Sequence, residues 1–187
     1  MRIIIVGACL ATAIVMPAVV QTARAQAPAT PPAAATAPAA VPEAMPFDIP
    51  YGAPIGLEMA QKAIAGAAAE ARKHNWKMAI TVVDPAGNLV AHATMDGTQY
   101  ASIEIAQAKA RTSALFRRPS GAFQTAINTA GFPSNLSLLG FNRAVASEGG
   151  FPIVVDGKLI GAIGASGGIF TQDAATAKGG LAALGLL

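Results

Sequence analysis

Few side chains in this sequence could do chemistry, and they fall into three groups. Nitrogen donors for a metal are His74 and His92, and Met95 offers a thioether. The single thiol, Cys9, lies at the far N-terminal end. A second group is basic: Lys109 and Arg111 share a stretch with Thr112 and Phe116. Lys109, Thr112 and Phe116 stand at i, i+3 and i+7, which places them on one stripe of a helix. An ordinary amphipathic helix with solvated bases would show the same stripe. The third group is glycine. "SEGGFPIVVDGKLIGAIGASGG" holds seven glycines in 22 residues. A glycine-rich loop after a strand can cradle a phosphate, but no lysine follows these glycines to reach one. Gly161 and Gly164 fall inside a strand pattern, where glycine marks a bulge or a close backbone approach. Gly167-Gly168 ahead of a helix leaves one alternative open, an anion held on free N–H groups.

His92 sits among apolar strand residues and has two readings, a satisfied core or interface residue or a ligand. His74, beside Arg72 and Lys73 at a helix end, suits the negative end of the helix dipole. Asp84, Asp96 and Asp156 each occupy a turn, where aspartate has structural work. Arg117 and Arg118 read as a solvated helix end. No Ser-His-Asp spacing, no H-E-x-x-H and no paired-carboxylate constellation stands out, so nothing compels an enzyme.

The elements that must position these residues follow from periodicity. Gly56–His74 is an alanine-rich helix, with Leu57, Ala60, Ile64, Ala67 and Ala71 at helical spacing. Residues 76–84 and 88–96 read as two strands around the turn Asp84-Pro85-Ala86-Gly87-Asn88. On the second strand, Leu89, Ala91, Ala93 and Met95 should face one way and Val90, His92 and Thr94 the other. Residues 101–118 predict a second helix, stopped by Pro119. Ser120 is placed to cap a third helix over 121–129, and an irregular segment bearing glycine and asparagine follows. "FPIVVDGKLIGAIGAS" predicts a second hairpin with Asp156-Gly157 as its tight turn. A last helix begins near Thr171, with Thr171 as cap and Asp173 in the first turn. Hairpins make antiparallel sheet, so the expected fold is α+β, one antiparallel sheet flanked by helices.

The first 49 residues read differently. Arg2, the apolar run Ile3–Val20 and the small-x-small site Ala23-Arg24-Ala25 predict an export signal cleaved after Ala25, with an uncleaved anchor as the alternative. Cleavage would remove Cys9, leaving no thiol, disulfide or thiolate ligand. It would also remove Arg2 and Arg24, lowering the formal charge from +3 to +1. The basic pI of about 9.3 therefore argues for no nucleic-acid partner. Residues 26–49 are dominated by alanine and proline and read as a tether, leaving 50–187 as the folded domain. The expected location is periplasmic or secreted, with membrane contact only through the signal segment.

"GGFPIVVDGKLIGAIGASGG", with "QD" shortly after, resembles the C-terminal signature of the GlcG/HbpS-type haem-binding family. "AITVVDPAGNLVAHATMDG" resembles that family's first hairpin, and "AQAKARTSALFRRPS" its central helix. The similarity spans about residues 55–185, with the motifs in order. It implies a profilin-like antiparallel sheet, homo-oligomers built from dimers, and haem binding by some members. It points to Thr112 as a residue facing the haem, with Lys109 and Arg111 near the propionates and His92 as the competing ligand. Threonine is a weak iron ligand, so such a haem would be loosely held. One departure is Thr94, where the family often carries an arginine. The expected function is an exported haem-binding protein serving capture, buffering or sensing. The alternatives are a small-molecule-binding enzyme or accessory protein of a catabolic pathway, and a structural oligomeric module.

Overall fold

A computed structural model describes residues 43–45, 47–129, 140 and 144–187. The expected signal peptide, most of the tether and most of the irregular segment that carries glycine and asparagine lie outside the described residues. The elements run α1 (Leu57–Lys73), β1 (Ala79–Val83), β2 (Leu89–Thr94), α2 (Ala101–Phe116), α3 (Gly121–Asn128), β3 (Gly150–Val155), β4 (Lys158–Ser166) and α4 (Phe170–Ala183). The strands form one antiparallel sheet in the order β2-β1-β4-β3. The two hairpins therefore join through their inner strands, and the expected α+β class holds.

Strand alternation divides the sheet into two faces. Ile80, Val82, Ile153 and Ile163 turn toward α1 and α4 and build the main core with the alanines of α1. Thr81, Val83, Ala162 and Gly164 turn the other way, where α2 lies across β4, β1 and β3. The buried positions of α1 are Ala60, Ala63, Ile64, Ala67, Ala68 and Ala71, so little bulk separates it from its neighbours. At its crossing with α4 the backbones nearly touch. A Cβ on Gly180 would stand 2.7 Å from the Ala63 carbonyl oxygen.

Both predicted turns form. The Asp84 carboxylate accepts the Asn88 N–H at 2.9 Å, and the Asp84 N–H donates to the Asn88 carbonyl at 2.9 Å. Asp156 and Gly157 both have positive φ, 49° and 72°, as a two-residue hairpin of this twist requires. The predicted faces of β2 hold only in part. The register shifts so that Val82 pairs with Ala91 and Val83 with Leu89. This bulge leaves Val90 as the extra residue, and Val90 packs against the α1-side core while Leu89 is exposed. From Ala91 onward the predicted alternation stands.

Three helix ends also differ. The last residue of α2 is Phe116, because Arg117 takes a left-handed φ of 54°. Ser120 holds the N-cap position of α3 as expected, but its side chain does not cap it; the hydroxyl donates to the Ser147 carbonyl at 2.5 Å and accepts the Gly150 N–H at 2.9 Å. The N-cap of α4 is Ile169, not Thr171, and the Gln172 side chain accepts the Ile169 N–H at 3.0 Å.

Arg117 and Arg118 are not a solvated helix end. Arg117 donates to the Ile49 carbonyl at 3.2 Å and lies 3.7 Å from Asp48. Arg118 stacks 3.8 Å from the Phe47 ring and 4.6 Å from Phe123. The Tyr51 hydroxyl donates to the Leu115 carbonyl at 3.2 Å. The Tyr51 hydroxyl thus meets a carbonyl that the end of α2 leaves open, while Arg117 and Arg118 hold the incoming chain at Ile49 and Phe47.

The two outer strands differ. β3 carries Pro152 and an irregular register at Ile153/Val154. β2 reads LVAHAT, with no proline and no formal charge, and most of its residues are half-buried.

Candidate functional site

The glycines bring α2 down onto the sheet. Gly150 and Gly164 face each other across β3 and β4. A Cβ on Gly164 would run into the Ala106 carbonyl and stand 2.6 Å from the Ala110 nitrogen. One on Gly150 would run into the Lys109 carbonyl and stand 2.8 Å from Ser113 Oγ. These positions are the close backbone approach that the sequence suggested for glycine in a strand.

That approach buries Lys109. Its ammonium passes the sheet at Gly149, just ahead of β3, and donates to Asp173 Oδ2 of α4 at 2.5 Å. The side chains are 1% and 3% exposed, so the pair joins helices on opposite faces of the sheet in a dry environment. Asp173 Oδ1 also accepts the Gly168 N–H at 3.0 Å. Burial pushes the Asp173 carboxyl up from its ordinary value, against the pull of Lys109 and of the N–H groups of Gly168 and Gly167. Asp173 takes the Gly168 N–H and Gln172 that of Ile169, so these N–H groups at the start of α4 are engaged by the chain's own side chains.

The four predicted site residues divide into two pairs. Lys109 and Thr112 are buried. The Thr112 hydroxyl donates to the Ala108 carbonyl at 2.8 Å and accepts the Val145 N–H at 2.8 Å. Arg111 turns to the first hairpin, where it donates to the Gly87 carbonyl at 3.3 Å and to Gln107 Oε1 at 3.3 Å. His92 lies on the same side of that hairpin, because it pairs with Thr81, which faces α2. Its Nδ1 is 2.7 Å from the buried Thr81 hydroxyl and its Nε2 2.8 Å from the exposed Thr94 hydroxyl. Burial holds the imidazole below its ordinary value, so it is neutral at neutral pH. With the proton on Nδ1, the ring donates inward to Thr81 and presents a lone pair outward at Nε2. Among the described residues no group of three His, Cys, Asp or Glu side chains gathers as a metal site.

The family description "haem degrading protein HbpS-like" matches residues 55–182, nearly the whole folded region. This chain belongs to the HbpS-like family. It is 39% identical to protein GlcG of Escherichia coli K12 over 109 residues, covering 58% of this chain and 78% of GlcG. A solved double mutant of Streptomyces reticuli HbpS superposes with a TM-score of 0.66 at 26% identity, covering 79% of this chain and 99% of that one. The structure of the PduOC:heme complex shares the fold with a TM-score of 0.63 at 24% identity, covering 70% and 94%.

This HbpS-like chain has a further concavity on the α1 side of β2. A groove of about 480 Å³ runs between α1 and β2 over Ile64, Ala65, Ala68, Ala91, His92 and Ala93. It adjoins a second of about 390 Å³ that includes Lys77, Met95 and Asp96, and Arg72 borders both. His74 occupies the C-cap position of α1, and its side chain turns back to Glu70, with Nε2 3.4 Å away, and stacks 4.3 Å from Trp76. Sequence reasoning missed Asp173 as the partner of Lys109 and Arg72 as a groove cation. No local signal pairs residues 64 positions apart. The stripe that includes Leu57, Ile64, Ala68 and Arg72 on α1 could have pointed to the second.

Proposed function

We propose that this is an exported haem-binding protein that takes haem on the open face of β2, with His92 as the iron ligand. The carrying observation is the hydrogen-bonded posture of His92. Its inner nitrogen is held by a buried threonine, and its outer nitrogen is held only by an exposed one. A ligating histidine is commonly oriented through its second nitrogen in this way. Haem would supply the iron and a planar apolar body. Arg111, reaching over the same hairpin, would meet a propionate. Thr112 and Lys109 would act by fixing α2, since the hydroxyl already has two hydrogen bonds and the ammonium is committed to Asp173. Family membership supports the reading, and so does PduOC, a fold neighbour solved with haem.

Haemin titration followed by absorption tests this directly. The expected result is one saturable site, with His92→Ala weakening it roughly tenfold or more and moving the Soret band. Thr112→Val should leave the iron spectrum unchanged. A spectrum altered only by Thr112→Val would put the ligand on α2, and no saturable binding would remove haem altogether.

The proposed export rests on Arg2, the apolar run Ile3–Val20 and the Ala23-Arg24-Ala25 site. Intact-mass measurement of protein released from cells should give Gln26 as the first residue. A mass that retains Met1–Ala25 would indicate an anchor instead.

A further inference from the structure

We infer that the groove between α1 and β2 is a second ligand site, built for a monocarboxylate with an unbranched aliphatic chain. It borders the haem site proposed above: His92 is part of the groove's lining, but its imidazole is held by the Thr81 hydroxyl on the α2 side, while Ala91 and Ala93 turn their methyl groups the other way.

The shape comes from small residues on two elements. On α1, Leu57, Gln61, Ile64, Ala68 and Arg72 recur every three or four positions and border the groove along one stripe. That stripe covers 15 residues of rise, about 22 Å of helix. On β2 the alternate residues Ala91 and Ala93 leave open the space that larger side chains would fill. The result is elongated along α1 and mostly apolar, and its volume of about 480 Å³ lies within the range of small-molecule sites.

The charge comes from Arg72. It stands where the two grooves meet, exposed, in the last turn of α1. Its neighbours are engaged: Lys73 and His74 both reach Glu70, and Lys77 donates to Asn75. The Arg72 side chain has no hydrogen bond or ion pair among the described residues. A planar guanidinium left free at the end of an apolar channel matches one carboxylate, held by two parallel hydrogen bonds. A single free cation beside a methyl floor favours a monoanion with an apolar tail over a polyanion such as a nucleotide.

The experiment uses the full-length chain and dodecanoate below its micellar concentration, followed by calorimetry. Dodecyltrimethylammonium is the control of opposite charge. The expected result is saturable 1:1 binding of dodecanoate and none of the cation. Arg72→Gln should weaken dodecanoate about tenfold or more, without loss of fold, since Arg72 supports nothing else. Ala93→Leu should block the groove. Equal binding of both amphiphiles, no saturable binding, or an Arg72→Gln variant with unchanged affinity would each overturn the assignment.

Discussion

Lys109→Met should destabilise the fold by about 3–5 kcal/mol, read from the denaturant midpoint, because it leaves the Asp173 carboxylate buried without its counter-charge. That is a large share of the roughly 5–15 kcal/mol that holds a typical domain together. The double variant Lys109→Met with Asp173→Asn should recover most of the loss. It removes both charges, yet the asparagine oxygen can still accept the Gly168 N–H. The pH dependence gives a second reading. Burial already pushes the Asp173 carboxyl up, and removing Lys109 takes away a pull in the other direction. A carboxyl whose folded value exceeds its unfolded one stabilises the fold at pH below the unfolded value, about 3.9. That contribution disappears as pH rises through the folded value. Lys109→Met should therefore lose least at acid pH and most at neutral pH. A single variant that costs under about 1 kcal/mol would mean that the pair does not hold the two helix layers together.

Gly164→Ala should cost at least about 3 kcal/mol, at the upper end of what overpacking does. The added methyl meets backbone atoms of Ala106 and Ala110 rather than a flexible side chain. Relief would require α2 to rise off the sheet, opening the contacts of Ala110 and Ala114 with Val83 and Ala162. Gly56→Ser is the matched control. Its Cβ meets nothing within 4 Å, and serine suits the N-cap position of α1. Thermal melts should separate the two widely. A Gly164→Ala protein that melts with the parent would show that α2 can shift at little cost.

The sequence carried much of the fold and less of the site. The bounds of α1, the two turns and the stripe of Lys109 and Thr112 were all legible, because each depends on neighbours within a few residues. The fate of Lys109 was not. A lysine on a helix stripe looks solvated until a carboxylate 64 residues away is folded against it. Arg117 and Arg118 misled for the same reason, since their partners Phe47, Asp48 and Ile49 lie in a stretch that reads as tether. His92 was legible as a candidate. Its orientation was not, because that depends on Thr81 across the hairpin. The bulge at Val90 escaped because alternation in a sequence carries no mark where a register slips.

The unequal edges of the sheet have a consequence for growth. In polymer terms, a sheet with two open edges is a bifunctional monomer, and adding strands to it can continue without limit. Here β3, with Pro152 and its irregular register, is the edge less suited to coupling, and the uncharged β2 the one more suited. A monomer with one reactive end terminates at the first coupling. Coupling at β2, if copies join there, would stop at two related by a two-fold axis, with no second regular edge among the described strands from which a fibre could extend.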